Sequence, residues 1–283
     1  MMGILGNGPL DYKTCSEQYK HLRPVANDQG ELSHFTVNGV DVRDGEFPHI
    51  AAIGWMRWDS NAVEWNCGGS LVTETHVLTA AHCTSVAGRK PNIVRLGDND
   101  LTSPDDDLNV QQFEISSVMK HPLYDAGNNE NDIAIIQIRD GVVPSQQVIP
   151  ACIASGDLAT DYFEAAGFGQ DGAGMQTNKL SKVFLKYIPL EKCQESYETV
   201  KLSDSQLCAK SYREDLLEQD TCQGDSGSPL QYMNTNFTAE GKTYRVPTIV
   251  GLTSFGIGCA FGHPSVYVKV SKYIEWMETV IKP

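Results

Sequence analysis

From residue 36 onward the chain is broken into apolar runs of strand length. "IAAIGW", "GGSLVTETHVLTA", "NIVRLG", "FEISSVMKH", "DIAIIQI", "KVFLKYIPL" and "TIVGLTSFG" are rich in Val, Ile and Thr, and clusters of Gly, Pro, Asn and Asp separate them. Only two stretches have helical spacing. "LEKCQESYETV" is short and amphipathic. "SKYIEWMETVIK" has Ser271 as a candidate N-cap, with Ile274, Met277 and Ile281 on one face. Such a chain is expected to be all-β, a sandwich or barrels, with a helix at the end. No internal repeat or low-complexity tract interrupts it.

Composition narrows the class. Among 283 residues, apolar types make up 41% and charged types 20%, as in a globular protein. Asp plus Glu outnumber Lys plus Arg by 36 to 22, a net charge of −14. Nucleic acid and anionic membrane attract basic surfaces, so neither is expected as a partner, whereas a cationic substrate is. No apolar run approaches the ~18 residues of a membrane span. "MMGILGNGPL" lacks the charged start and the apolar length of a signal peptide.

The eight cysteines (15, 67, 83, 152, 193, 208, 222 and 259) form no CxxC or CxxxH arrangement. They read either as reduced thiols of a cytosolic enzyme or as four disulfides of an exported protein. Export is favoured, and the sequon Asn236-Phe237-Thr238, a candidate glycosylation site, agrees with it. Residues 1–35 are polar, contain one cysteine and include "RPVANDQGELSH", which has the composition of a linker.

Three strings carry chemistry: "LTAAHC" with His82, "NDIAII" with Asp132 and "CQGDSGSP" with Ser226. A serine hydroxyl needs a base within hydrogen-bond reach to act as a nucleophile. Imidazole can take that proton and return it near neutrality, and a buried carboxylate can fix the ring's tautomer. Alone, each string is bland: a structural histidine, an aspartate in a turn, a glycine-rich loop. In this order and with these flanks they are specific, and the chain resembles the chymotrypsin/trypsin-like serine proteases from about residue 36 to its end.

The resemblance implies two perpendicular six-stranded β-barrels with the active site between them. His82 and Asp132 would come from the first barrel and Ser226 from the second. It implies the pairs Cys67–Cys83, Cys193–Cys208, Cys222–Cys259 and Cys15–Cys152, the last tying a pro-segment of residues 1–35 to a protease domain of residues 36–283. The backbone amides of Gly224 and Ser226 would hold the oxyanion. Asp220, six residues before Ser226, would floor a pocket for Arg or Lys. Ser254, Phe255 and Gly256 would line the substrate strand, with Ser265 on the pocket wall where the family usually has Gly. Counting back from Gly45 and Pro48, the activating cut would fall between Phe35 and Thr36, and the new amine would pair with Asp225. Thr36 and Asn38 depart from the family's Ile or Val and Gly.

"CSEQYKHL" and "VRDGEFPHIAAIG" further resemble the arthropod clip-domain cascade proteases, although the clip domain itself is absent. Expected partners are protein substrates, an upstream activating protease and protease inhibitors. No cofactor is required. The one metal considered is calcium, at the acidic stretch "LGDNDLTSPDDDLN" around Asp98–Asp107, where the plainer reading is a solvated loop. The competing function is a protease-fold cofactor or decoy that works by binding. Such proteins often lose a triad member, and this chain keeps all three.

Overall fold

The computed structural model describes residues 10–21, 40–57, 59–60, 62–103, 107–169, 177–212, 225–257 and 263–282. In chain order the strands are β1 (Val40–Asp41), β2 (Ile50–Arg57), β3 (Ala62–Thr73), β4 (His76–Thr79), β5 (Ile93–Leu96), β6 (Gln111–Lys120) and β7 (Ala134–Ile138). They continue with β8 (Cys152–Ile153), β9 (Tyr162–Gly167), β10 (Ser181–Ile188), β11 (Gln206–Ser211), β12 (Pro229–Ala239), β13 (Lys242–Phe255) and β14 (Ser265–Lys269). Among the described residues the α-helices are α1 (Tyr12–Glu17), α2 (Leu190–Gln194) and α3 (Ile274–Ile281).

Strands β2-β3-β4-β7-β6-β5 close into a barrel. The second sheet runs β10-β11-β14-β13-β12-β9, and β9 pairs with both β10 and β12, so these six strands also form a ring. The expected all-β plan of two six-stranded units with a terminal helix is therefore present. Closure leaves few open edges, which otherwise invite pairing with other chains. Residues Ile53, Leu71, Val77, Leu96 and Ile136 fill the first barrel, and Phe163, Leu185, Leu207, Leu230 and Tyr267 the second. A third cluster joins them: Leu78, Ile133 and Ile135 of the first barrel meet Ile249, Leu252 and Val268 of the second, capped by Met277 of α3. Each fully buried aliphatic side chain is worth about 1.5–3 kcal/mol, so this shared cluster fixes one barrel against the other.

Two local expectations are corrected. Ser271 is not the N-cap of the last helix. Val270–Lys272 form a 3-10 turn, and α3 starts after Tyr273, whose ring is buried. The "LEKCQESYETV" helix covers only Leu190–Gln194. Residues 10–21 are fastened to the rest of the chain, whereas the linker-like stretch "RPVANDQGELSH" lies outside the described residues. Asp11 caps α1 by accepting from the Thr14 amide, and Tyr19, 1% exposed, donates its hydroxyl to the Pro150 carbonyl at 2.9 Å. The pairs Cys15–Cys152, Cys67–Cys83 and Cys193–Cys208 are formed, with Cα separations of 5.6, 6.1 and 6.3 Å. Cys222 and Cys259 lie outside the described residues. Among the described residues, no helix is long and apolar enough to cross a membrane.

Candidate active site

His82 lies in the 3-10 turn Ala81–Thr84 that follows β4, and the Cys67–Cys83 bridge pins that turn to β3. Asp132 precedes β7, the neighbour of β4, so strand pairing brings two residues fifty apart in sequence face to face. Asp132 is completely buried. Its Oδ1 accepts the His82 backbone amide at 2.8 Å, and its Oδ2 accepts from His82 Nδ1 at 2.8 Å and from Ser254 Oγ at 2.5 Å. A buried carboxylate is tolerable because donors surround it. Holding Nδ1 as the donor leaves Nε2 as the ring's acceptor. Two tyrosines lie near the same carboxylate. Burial, with the Asp132 charge second, pushes the Tyr124 hydroxyl up to about 12, and burial also raises that of Tyr273.

Ser226 occupies a tight turn between Asp225 and Ser228, closed by the Ser228 amide donating to the Asp225 carbonyl. The Ser226 carbonyl accepts the Gly68 amide at 2.8 Å and lies 3.5 Å from Cys83 Sγ, one residue from His82. Gly227 has φ +77°, and a Cβ there would fall 2.2 Å from Thr79 Oγ1 and 2.9 Å from the Ala80 nitrogen. Only glycine lets the serine turn press against the histidine turn.

The Asp225 side chain points into a cradle. The Gly169 amide donates to its Oδ1 at 3.0 Å. A Cβ on Gly167 or Gly169 would come within 2.2 or 2.4 Å of its carboxylate oxygens, so "GFG" (residues 167–169) makes room for this aspartate. Segment 40–48, which follows the expected cut, is bound to the second ring. Val40 and Asp41 pair with Lys182 and Ser181, and Glu46 forms an ion pair with the buried Lys182 ammonium.

Of the expected substrate-binding residues, Ser254 is buried on Asp132, and Phe255 packs edge-on against Tyr197 with centroids 5.6 Å apart. Gly256 is exposed. Ser265 is buried, with its Oγ 3.0 Å from where a Cβ on Gly256 would be. Asp220, Gly224, Phe35 and Thr36 lie outside the described residues. Asn236 is exposed beside a bulge of the β12–β13 hairpin.

In the acidic loop Asp98 is buried and pairs with Arg95, while its Oδ1 accepts the Asp100 amide. Asp100 accepts from both the amide and the hydroxyl of Thr102 and faces Lys179, contacts that hold its carboxyl below the usual range, the Thr102 hydroxyl first. Cys67, His82 and Cys83 are the only group spaced for a metal among the described residues, and both sulfurs are consumed by the disulfide.

A histidine turn, a buried aspartate and a serine turn brought together between two closed β-rings define the trypsin class of architecture. The trypsin family model matches residues 36–277, and the chain belongs to that family. Similar proteins include serine protease snk of Drosophila melanogaster, 34% identical over 86% of this chain, and venom serine protease Bi-VSP of Bombus ignitus, 35% identical over 91%. Phenoloxidase-activating factor 1 of Holotrichia diomphalia is 32% identical over 87%. The chain spans 56%, 72% and 70% of these three relatives, all of them arthropod proteins.

Proposed function

We propose that this protein is a secreted serine endopeptidase, made as a zymogen, that hydrolyses peptide bonds after Arg or Lys through an acyl-enzyme. The observation that carries the reading is the Asp132 carboxylate, buried and triply bonded, orienting His82 beside the Ser226 turn. Ser226 Oγ attacks the scissile carbonyl while His82 Nε2 takes its proton. The amides of Gly224 and Ser226 receive the oxyanion. His82 returns the proton to the leaving amine, and water repeats the sequence to release the acid. Asp220 pairs with the basic side chain of the substrate.

Activation follows a cut between Phe35 and Thr36, after which the new amine pairs with Asp225 and orders the loop. No Lys or Arg lies at that junction, so the activator has a chymotrypsin-like preference. The Cys15–Cys152 bridge keeps residues 1–35 attached after the cut. The protein acts on protein substrates within a cascade, downstream of another protease and under the control of inhibitors, and carries a glycan on Asn236. Names such as phenoloxidase-activating factor support a cascade setting.

The test treats the secreted chain with chymotrypsin and, separately, with trypsin. New termini are sequenced, Ser226 is labelled with an organophosphonate, and kcat/KM is compared for peptides differing only before the cut bond. A Thr36 terminus, labelling and an Arg or Lys preference are expected after chymotrypsin. A preference for Phe, Leu or Ala, or an active enzyme with another terminus after trypsin, overturns the specificity or the activation reading respectively.

A further inference from the structure

Asn131 immediately precedes Asp132 and has a left-handed backbone, φ +54°. Its carbonyl accepts the Ile133 amide at 2.8 Å, so the turn closes across Asp132 itself and sets the direction in which that carboxylate leaves the chain. Both ends of the Asn131 side chain are engaged. Nδ2 donates to the Leu123 carbonyl at 2.9 Å, and Oδ1 accepts from the Tyr273 hydroxyl at 3.1 Å.

Tyr273 is 4% exposed and stands at the start of α3. Its ring packs edge-on against His121, with centroids 5.3 Å apart, and His121 also contacts Trp276 at 4.9 Å. The His121 amide in turn donates to the Ile133 carbonyl, closing the far side of the same turn. One phenol thus connects the start of the terminal helix to Asn131, the neighbour of the residue that carries the site's buried carboxylate.

We propose that Asn131 and Tyr273 are a positioning pair for Asp132, locking the strained turn that aims its carboxylate at His82. Neither touches substrate. The inference rests on the reading of Asp132 as the orienting carboxylate. A left-handed non-glycine residue is uncommon and persists where its surroundings over-determine it. Here the over-determination comes from the two side-chain bonds. Without them the turn relaxes, and a small displacement of a group that must be aligned in the transition state is expressed in rate rather than in substrate binding.

The experiment uses the activated full chain and a single Arg substrate. Tyr273→Phe removes only the hydroxyl and keeps the packing on His121. Asn131→Gly keeps the left-handed backbone and removes both side-chain bonds. Each is expected to lower kcat about tenfold with KM within about twofold, as for loss of an alignment that matters only in the transition state. Because the two variants break a shared bond, the double variant should lose less than the product of the single losses. Unchanged kcat in both single variants, a loss confined to KM, or a fully multiplicative double variant overturns the pairing, whatever the melting temperatures do. Asp132→Asn is run alongside. If it retains full activity, the triad reading fails, and that result is distinct from a failure of the pair.

Discussion

Asp132 shows how one buried charge can organise a site. Three donors from two rings converge on it, and removing its charge while keeping its shape tests that arrangement most directly. Asp132→Asn is expected to keep the fold and lower kcat by about 10⁴, because the amide favours the wrong ring tautomer. Thermal melting and single-turnover hydrolysis together check this. Ser265 bears on specificity. Its hydroxyl is directed at Gly256, across the mouth of the proposed pocket. Ser265→Gly is expected to raise kcat/KM for Arg substrates about tenfold, the lower end of what one small group is worth in a binding pocket. An unchanged or lowered value would place Ser265 off the path of the substrate side chain.

Among the elements, α1 and the 3-10 turn after it hold more of the fold together than their length suggests. Leu10 joins the cluster between the rings, and Cys15 and Tyr19 pack with Ile149, Cys152, Tyr244 and Val246. Tyr19→Ala should lower unfolding free energy by about 3–5 kcal/mol, the range for emptying a buried aromatic site, measured by denaturant titration with the disulfides intact. The acidic loop between β5 and β6 is expected to behave otherwise. Arg95 and Thr102 already satisfy Asp98 and Asp100, so calcium would have to displace existing partners. The melting temperature should be the same in millimolar calcium and in chelator, whereas a rise of several degrees would mean that the folded state binds the ion.

For the whole molecule, acid stability is expected to respond to buried titratable groups. His49 is fully buried, and burial pushes its imidazole down to about 3, with Gln231 opposing the shift. The unfolded chain binds that proton near pH 6.5, so folding loses stability as pH falls from about 6.5 toward 3. Burial raises the Glu164 carboxyl, against the pull of Lys182 and Arg245. That group acts in the opposite sense, because the folded state takes up its proton at higher pH than the unfolded chain does. His76 and His121, also lowered by burial, act in the same sense as His49. His49→Gln should therefore show a smaller drop in melting temperature between pH 7 and about pH 4.5 than the parent chain. An equal drop would assign the acid lability to other groups.

The strings around His82, Asp132 and Ser226 were legible in one dimension because their chemistry demands particular residue types with particular neighbours. The strand-length runs of β2, β5 and β7 were legible for a related reason. Strands buried on both faces, such as Ile50–Trp55, need continuous apolar sequence. Strands such as β12, whose residues pass from buried to exposed along "PLQYMNTNFTA", carry no such signature and emerge only from pairing with β9 and β13. The six-residue α1 is too short to hold by propensity and exists because a disulfide and Tyr19 fasten it. Ser271 has the chemistry of a cap, yet the chain arrives there in a 3-10 turn, and buried Tyr273 takes the position before α3. The bond from Tyr273 to Asn131 spans 142 residues, and the Ser254 bond to Asp132 spans 122. No local pattern encodes either bond. They form because packing the two rings on one apolar cluster brings distant polar atoms into a space where each must find a partner.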